Sequence, residues 1–351
     1  MIFTGDIAQP NQGASIFSVP NNLKEKVWVG NLEGSLIETG KTAEKPGGVY
    51  NDLKAIQEVL EYIPFRSFIL GNNHLLDAAS VQTTIENLKK LRVGLVGAGT
   101  DIDDARKSIT TKDSDETIYR ILAFGWANIQ CIPATKTSGG VNPYTKANVF
   151  KSVSEALKQV EPLLCFFHWN YELEKYPQPY DRHLAHELID MGVAAVIGCH
   201  AHRVQPIEFY KGKPIVYGLG NFLFCQGHFF DGKLRFPKFC EEEYAFEINK
   251  NGFKLHYFFY DQKDNRLDYV KSVEIGEDKV FDGKAEFTGY SDKEYEKWFK
   301  AHRIQKKMLP IFHARENELS YWMKSKWIKF RGGIINQLTK INLKSANRAN
   351  R

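Results

Sequence analysis

Val196-Ile197-Gly198-Cys199-His200-Ala201-His202 is the stretch on which the fold turns. An apolar run breaks at a glycine and two histidines one residue apart follow at once, which is how a buried strand delivers side chains into a loop at its carboxyl end. Two imidazoles make a metal site only when carboxylates and further imidazoles arrive at the same place from other strands.

Working outward, the same punctuation recurs. Ile2-Phe3-Thr4 ends at Gly5-Asp6, Val27-Trp28-Val29 at Gly30-Asn31-Leu32-Glu33, Phe68-Ile69-Leu70 at Gly71-Asn72-Asn73-His74, and Leu163 to Phe167 at His168. Between these runs, 52–61, 78–91, about 147–160 and about 181–191 read as helices, the first two from apolar residues at three- and four-residue spacing. Asp77 is expected to cap the helix that starts at Ala78. Strand followed by helix is the rhythm of an α/β protein. Two hairpins follow, Pro206 to Tyr210 with Pro214 to Tyr217 around Lys211-Gly212-Lys213, and Tyr244 to Ile248 with Phe253 to Tyr260 around Asn251-Gly252. Alternation first and antiparallel ribbons later predict a layered α/β sandwich over residues 1–260. Residues 261–351 are expected to form a second, mainly helical appendage.

Composition excludes several classes. The 351 residues are 43% hydrophobic and 25% charged, ordinary values for a globular protein, and no run is apolar enough for a spanning helix. The Met1-Ile2-Phe3 opening has neither a basic nor an apolar leader region, so the expected location is cytoplasmic, with the inner face of the membrane as a possible peripheral station. Five scattered cysteines without a CxxC pair read as reduced thiols. The net charge of +5 belongs to the end of the chain: Tyr321 to Arg351 holds eight basic residues and no acid, which leaves the first 320 residues slightly acidic. Trp298, Phe299, Tyr321, Trp322, Trp327 and Phe330 are set among lysines of the appendage. This segment suits an anionic membrane surface or an acidic partner such as a synthase complex, or it docks its aromatics on the main body and turns its lysines to water. No nucleic-acid motif is present, and nucleic acid is not an expected partner.

The candidate ligands are then Asp6, Glu33, Asn73, His74, His168, His200 and His202. Each lies zero to four residues past an apolar run, so strands of one sandwich bring all seven to one edge. Mixed imidazole and carboxylate donors suit zinc, manganese or iron, whereas an all-oxygen set would suit magnesium or calcium. A carboxylate, here Glu33, can bridge two divalent ions that clamp a phosphoryl oxygen and acidify a water. Asn73 offers a carbonyl ligand and an amide donor, and His74 a general acid.

The ordered set Gly5-Asp6, Asn31-Leu32-Glu33, Asn72-Asn73-His74 with Asp77, His168-Trp169 with Glu172, Gly198-x-His200-x-His202 and Tyr217-Gly218-Leu219-Gly220-Asn221-Phe222 resembles the CapA family of capsule and poly-gamma-glutamate synthesis proteins, itself similar to the calcineurin-like metallophosphoesterases. The resemblance spans about residues 1–225. It implies a four-layer α/β/β/α sandwich, with Asp6 and His202 on one ion, Asn73, His168 and His200 on the other, and Glu33 between. Glu172 at its family position is implied to orient a histidine or handle a proton. Two departures bear on occupancy and pocket. Ala8 stands where metallophosphoesterases commonly have a ligating histidine, leaving one ion or two open, and Cys199 and Ala201 stand where the family commonly has His and Pro, changes expected to alter pocket shape rather than ligation.

Other polar residues weigh less. His183 and His186 share a helix face, but no strand end brings them to the others, and they are expected outside the site. Arg203 reads as an anion clamp or a surface residue. Asn221 either shapes its turn or reaches the substrate. The expected activity is metal-dependent hydrolysis, on a phosphorylated small molecule or polymer intermediate of cell-envelope polysaccharide synthesis. The alternatives are a non-catalytic assembly factor and a gamma-glutamyl amide hydrolase.

Overall fold

The computed structural model describes residues 1–10, 15–41 and 48–303, and seven single positions between 319 and 330. Two large sheets face each other. The nine-stranded sheet runs Ile16–Ser18, Arg266–Ile275, Gly252–Asp261, Glu242–Asn249, Ile2–Ala8, Trp28–Leu32, Phe65–Ile69 and Gly94–Val96, with Asn221–Phe224 pairing alongside Ile2–Ala8. The six-stranded sheet runs Ile207–Tyr210, Lys213–Val216, Ala195–Cys199, Leu163–His168, Ile118–Gly125 and Ile109–Lys112. The central pairings of both are parallel: Trp28–Leu32 lies between Ile2–Ala8 and Phe65–Ile69, and Leu163–His168 between Ile118–Gly125 and Ala195–Cys199.

Side-chain alternation explains the layers. Phe3, Val29 and Ile69 from one sheet meet Leu164, Phe166 and Ile197 from the other in a shared inner core. Their sequence neighbours Ile2, Trp28, Phe68, Leu163, Cys165 and Phe167 turn outward with apolar residues of the helices Leu53–Tyr62, Val81–Lys90, Lys146–Ala156 and Pro179–Met191. A central parallel strand buried on both faces must read as continuously apolar, and these do. The result is the α/β/β/α sandwich expected from the sequence.

Local signals place the helices. Asp52 accepts from the amides of Lys54 and Ala55 and starts the helix Leu53–Tyr62. Ser80, not Asp77, caps the helix Val81–Lys90, accepting from Thr83 N. The expectation for Asp77 is therefore corrected: the chain from Asn72 to Ser80 is non-helical, and Asp77 turns to His74 instead. Both hairpins form; Lys211 and Gly212 take positive φ of 51° and 72°, as a two-residue loop between right-twisted strands requires.

The C-terminal part differs from expectation in one respect. Arg266–Ile275 is a ten-residue strand paired with Gly252–Asp261, so the sheet continues past the boundary expected at residue 260. The helix Asp292–His302 then buries Tyr295 and Phe299, and Trp298 lies edge-on to Tyr176 with ring centroids 4.6 Å apart. These aromatics dock on the body. Arg182 of the helix Pro179–Met191 ties that docking down: it holds Glu208 with two nitrogens at 3.0 and 2.7 Å, donates to Tyr290 O, and lies 4.8 Å from the Tyr295 ring centroid. Most of the basic segment 321–351 and its partner surface lie outside the described residues.

Candidate metal centre

The carboxyl ends of the parallel strands of both sheets open on the same edge. Asp6 sits in Ile2–Ala8, Glu33 one residue past Trp28–Leu32, and Asn73 in the turn after Phe65–Ile69; His168 ends its strand, and His200 and His202 follow Ala195–Cys199. Asp6, Glu33 and His168 are fully buried, and His200 and His202 nearly so. His200 and His202 hold positive φ of 95° and 55°, a costly backbone for residues with a Cβ, which lets two residues so close in sequence turn both rings inward.

Two groups of donors share Glu33. Ligand atoms of Glu33, His168 and His200 lie within 4.8 Å of one another, and so do those of Asp6, Glu33 and His202. On the first side, His168 Nε2 is 2.8 Å from Asn73 Oδ1 and 3.1 Å from His200 Nδ1. On the second, His202 Nδ1 is 3.2 Å from Asp6 Oδ2 and 2.9 Å from Asn221 Oδ1. Among the described residues, neither oxygen of Glu33 has a hydrogen-bond partner; the ring nitrogens of His74 and His202 stand off at 3.7 and 3.9 Å. A buried carboxylate left without donors, facing imidazole nitrogens, fits a cation and is costly without one. The donor set fits a divalent metal.

The proton balance points the same way. Burial and the neighbouring Asp6 charge push the Glu33 carboxyl well above the usual carboxylate range. Burial works against a charged His202, yet Glu33 and Asp6 outweigh it and raise the imidazole to about 10. Burial lowers His168 to about 3 against the pull of Asp6, so that ring is neutral and offers a lone pair. The shifts at Glu33 and His202 both favour a bound proton at the place where a cation would compete with it.

Around this core the chain supplies supporting contacts that the sequence did not predict. Asn31 donates to Asp6 Oδ1 at 2.8 Å. Asn72 accepts from the amides of Gly34 and His74 and donates to Leu32 O, locking together the turns that carry Glu33 and Asn73. Asn51 donates to Glu33 O. Cys199 Sγ lies 3.1 Å from His168 Nδ1, and its ligand atom falls within 4.8 Å of Asp6 and His168, so the cysteine is part of the cluster and not only of the pocket wall. Asn31 and Asn72 stand beside candidate ligands in the motifs quoted above, and Cys199 enters there only as a departure affecting pocket shape; its contact with His168 depends on strand register, which the sequence does not show.

The remaining candidates divide. His74 Nδ1 is 2.6 Å from Asp77 Oδ2 and its ring is partly exposed, edge-on to Phe230 at 6.3 Å. Glu172 is half-buried and its charge acts on Glu33 and His202. Asn221 is turned to His202. Arg203 is half-buried, stacks over Phe239 at 4.3 Å and reaches Leu173 O at 3.5 Å, contacts outside the cluster. His183 and His186 pair with Asp292 and Glu208, away from the ligands as expected.

An α/β/β/α sandwich with a buried histidine–carboxylate centre at the carboxyl edge of its parallel strands defines the class. Residues 18–226, more than half of the chain, match the family described as bacterial capsule synthesis protein PGA_cap, and the chain belongs to that family. It is 30% identical over 202 residues to the PGA biosynthesis protein CapA of Bacillus subtilis (strain 168), covering 56% of this chain and 53% of the relative. It is 27% identical over 216 residues to a probable polyglutamine synthesis accessory protein of Mycobacterium tuberculosis (strain CDC 1551 / Oshkosh), covering 58% and 57%. The chain thus spans about half the length of the curated relatives it matches. Among solved structures it is similar to a 5'-nucleotidase precursor from Thermus thermophilus, with a TM-score of 0.35 and 15% identity over 65% of this chain and 45% of that one.

Proposed function

We propose that the chain is a metal-dependent phosphoester hydrolase acting on an intermediate of capsule or related cell-envelope polymer synthesis. The observation that carries this reading is the pair of three-donor groups that share the unpartnered carboxylate of Glu33. Asn73, His168, His200 and Glu33 would hold one divalent ion, and Asp6, Glu33 and His202 a second, with Ala8 leaving that side one ligand short. When bound, such ions polarise a phosphoryl oxygen and lower the pKa of a water.

The chain's own residues do the rest. Asp77 fixes His74 through Nδ1, which leaves Nε2 on the Glu33 side to carry a proton to a leaving oxygen. Asn73 keeps an amide donor for a non-bridging oxygen while its carbonyl faces His168. Asn221 and Asp6 hold His202, and Glu172 adds negative charge at the rim that favours cation binding. Burial of Asp6, Glu33 and His168 excludes bulk water from the centre and strengthens each of these interactions.

Purified protein supplied with manganese or zinc is expected to hydrolyse aryl phosphomonoesters or diesters, and His200→Ala and Glu33→Ala to abolish turnover. No turnover, together with full polymer production in cells carrying either variant, overturns the catalytic reading. The relatives' description as synthesis and accessory proteins supports a second reading, a metal-binding assembly factor of a polymer synthase. In that case the same variants lose partner capture while no phosphoester or gamma-glutamyl amide is cleaved by the wild type. The basic segment 321–351 is proposed to contact an anionic membrane surface or that synthase. Deleting it is expected to abolish pelleting with anionic vesicles at low salt, and unchanged pelleting removes the membrane role.

A further inference from the structure

Both ring nitrogens of His168 face partners inside the centre. Nε2 points to Asn73 Oδ1 and His200 Nδ1, the side on which Glu33 also lies. Nδ1 points the other way, to Cys199 Sγ at 3.1 Å. His168 and Cys199 are register partners on neighbouring parallel strands, and Cys199 belongs to the inner core between the sheets. Both are buried, away from bulk solvent.

A neutral imidazole carries one proton, and only the nitrogen without it offers a lone pair. For Nε2 to be a ligand, the proton must sit on Nδ1, and a buried Nδ1–H needs an acceptor. Sulfur is the atom placed to accept it. The thiol's own proton is then free to turn toward Asp6, whose ligand oxygen lies within 4.8 Å. Asp6 belongs to the other donor group, so one side chain joins the two halves of the centre. The empty hydrogen-bonding capacity of Glu33 shows on which side of His168 the cation belongs, independently of the cysteine.

We propose that Cys199 is a positioning residue of the metal centre: its sulfur accepts the Nδ1–H of His168, fixes the tautomer that presents Nε2 to the ion, and links that half of the site to Asp6. The proposal rests on the metal-binding part of the function above, and its test separates the two. Manganese and zinc are titrated calorimetrically into chelator-treated full-length wild type, Cys199→Ala, Cys199→Ser and His200→Ala. Wild type binds and His200→Ala does not if the centre is a metal site; absence of binding by wild type overturns the metal reading itself. Loss of an outer partner of a ligating histidine costs about 10–100-fold in affinity, which is the effect expected of Cys199→Ala.

Cys199→Ser retains an acceptor and is expected to recover most of that loss, which a purely packing role would not produce. Nitrogen-15 spectra of the zinc-loaded protein read the tautomer directly: His168 is protonated at Nδ1 in wild type and in Cys199→Ser. Equal affinity of Cys199→Ala and wild type overturns the proposal, as does protonation of His168 at Nε2. So does an intense sulfur-to-metal charge-transfer band in the cobalt-loaded wild type, which would make the sulfur a direct ligand. If Cys199→Ala fails to fold, the tautomer in wild type and the titration of Cys199→Ser decide.

Discussion

Ala8 sets the character of one half of the centre. It is fully buried among Val49, Phe224 and Phe229, with Phe236 at the edge of the same cluster, and Phe236 also stacks on His202 at 4.3 Å. The volume a larger ligand would need is therefore taken by aromatic rings. Ala8→His is expected to overpack this cluster and lower stability by about 1–3 kcal/mol in urea unfolding, without raising the number of ions bound. A gain of one ion at unchanged stability would show that the cluster yields. Asp77 presents the opposite case, a residue whose role depends on a bond of 2.6 Å to His74. Asp77→Asn is expected to lower kcat on an aryl phosphodiester by up to about 100-fold while metal content stays at the wild-type level. The candidate ligands were legible because each lies at or shortly after the end of an apolar run, and the structure brings those runs to one edge. Asp77 was not. A helix cap and a partner for histidine place the same acid in the same kind of loop, and only the helix starting at Val81 rather than Ala78 separates them.

Elements show how burial of a charge becomes a pH response. In the first turn of the helix Pro179–Met191, Asp181 is buried, accepts from Tyr144 OH at 2.6 Å, and has a second oxygen without a partner among the described residues. Burial raises its carboxyl to about 7, against the smaller opposing effects of Tyr144 and the Gln178 backbone. The folded state thus holds a proton that the unfolded chain releases near its ordinary value. The favourable contribution is complete below about pH 4 and lost as pH rises to about 7, amounting to up to about 4 kcal/mol. Asp181→Asn keeps the acceptor for Tyr144 and is expected to remove this slope: urea midpoints at pH 4.5 and 7.5 should draw together relative to wild type. Unchanged slopes would place the titration elsewhere. At this scale the two hairpins could be read from their turns, but Arg266–Ile275 could not. Half of its side chains are exposed and only two are buried, so charged residues stand where an inner strand would need apolar ones, and the two-residue period is lost. Backbone pairing with Gly252–Asp261 places it, and Leu267 and Ile275 anchor its two ends in the core.

At the scale of the whole molecule, the two sheets contribute different chemistry to one edge. Asp6, Glu33 and Asn73 come from strands of the nine-stranded sheet, and His168, His200 and His202 from strands of the six-stranded sheet. Acids and amide on one side and imidazoles on the other mean that an ion held between them cross-links the sandwich at the end where its inner apolar core gives way to polar side chains. Any ion that binds the folded state alone stabilises it by mass action, about 2.7 kcal/mol at a hundredfold excess over Kd. Manganese or zinc is therefore expected to raise the melting temperature of the wild-type protein, and a chelator to reverse the rise. If the proposed metal centre is right, His200→Ala should lose the metal-dependent increment while its metal-free melting temperature stays close to that of metal-free wild type, because the ring it removes lies in the polar donor cluster and not in the apolar core. A variant that melts early with and without metal would instead mean that His200 serves the fold, and the strained backbone at positions 200 and 202 would then need another explanation than ligand placement.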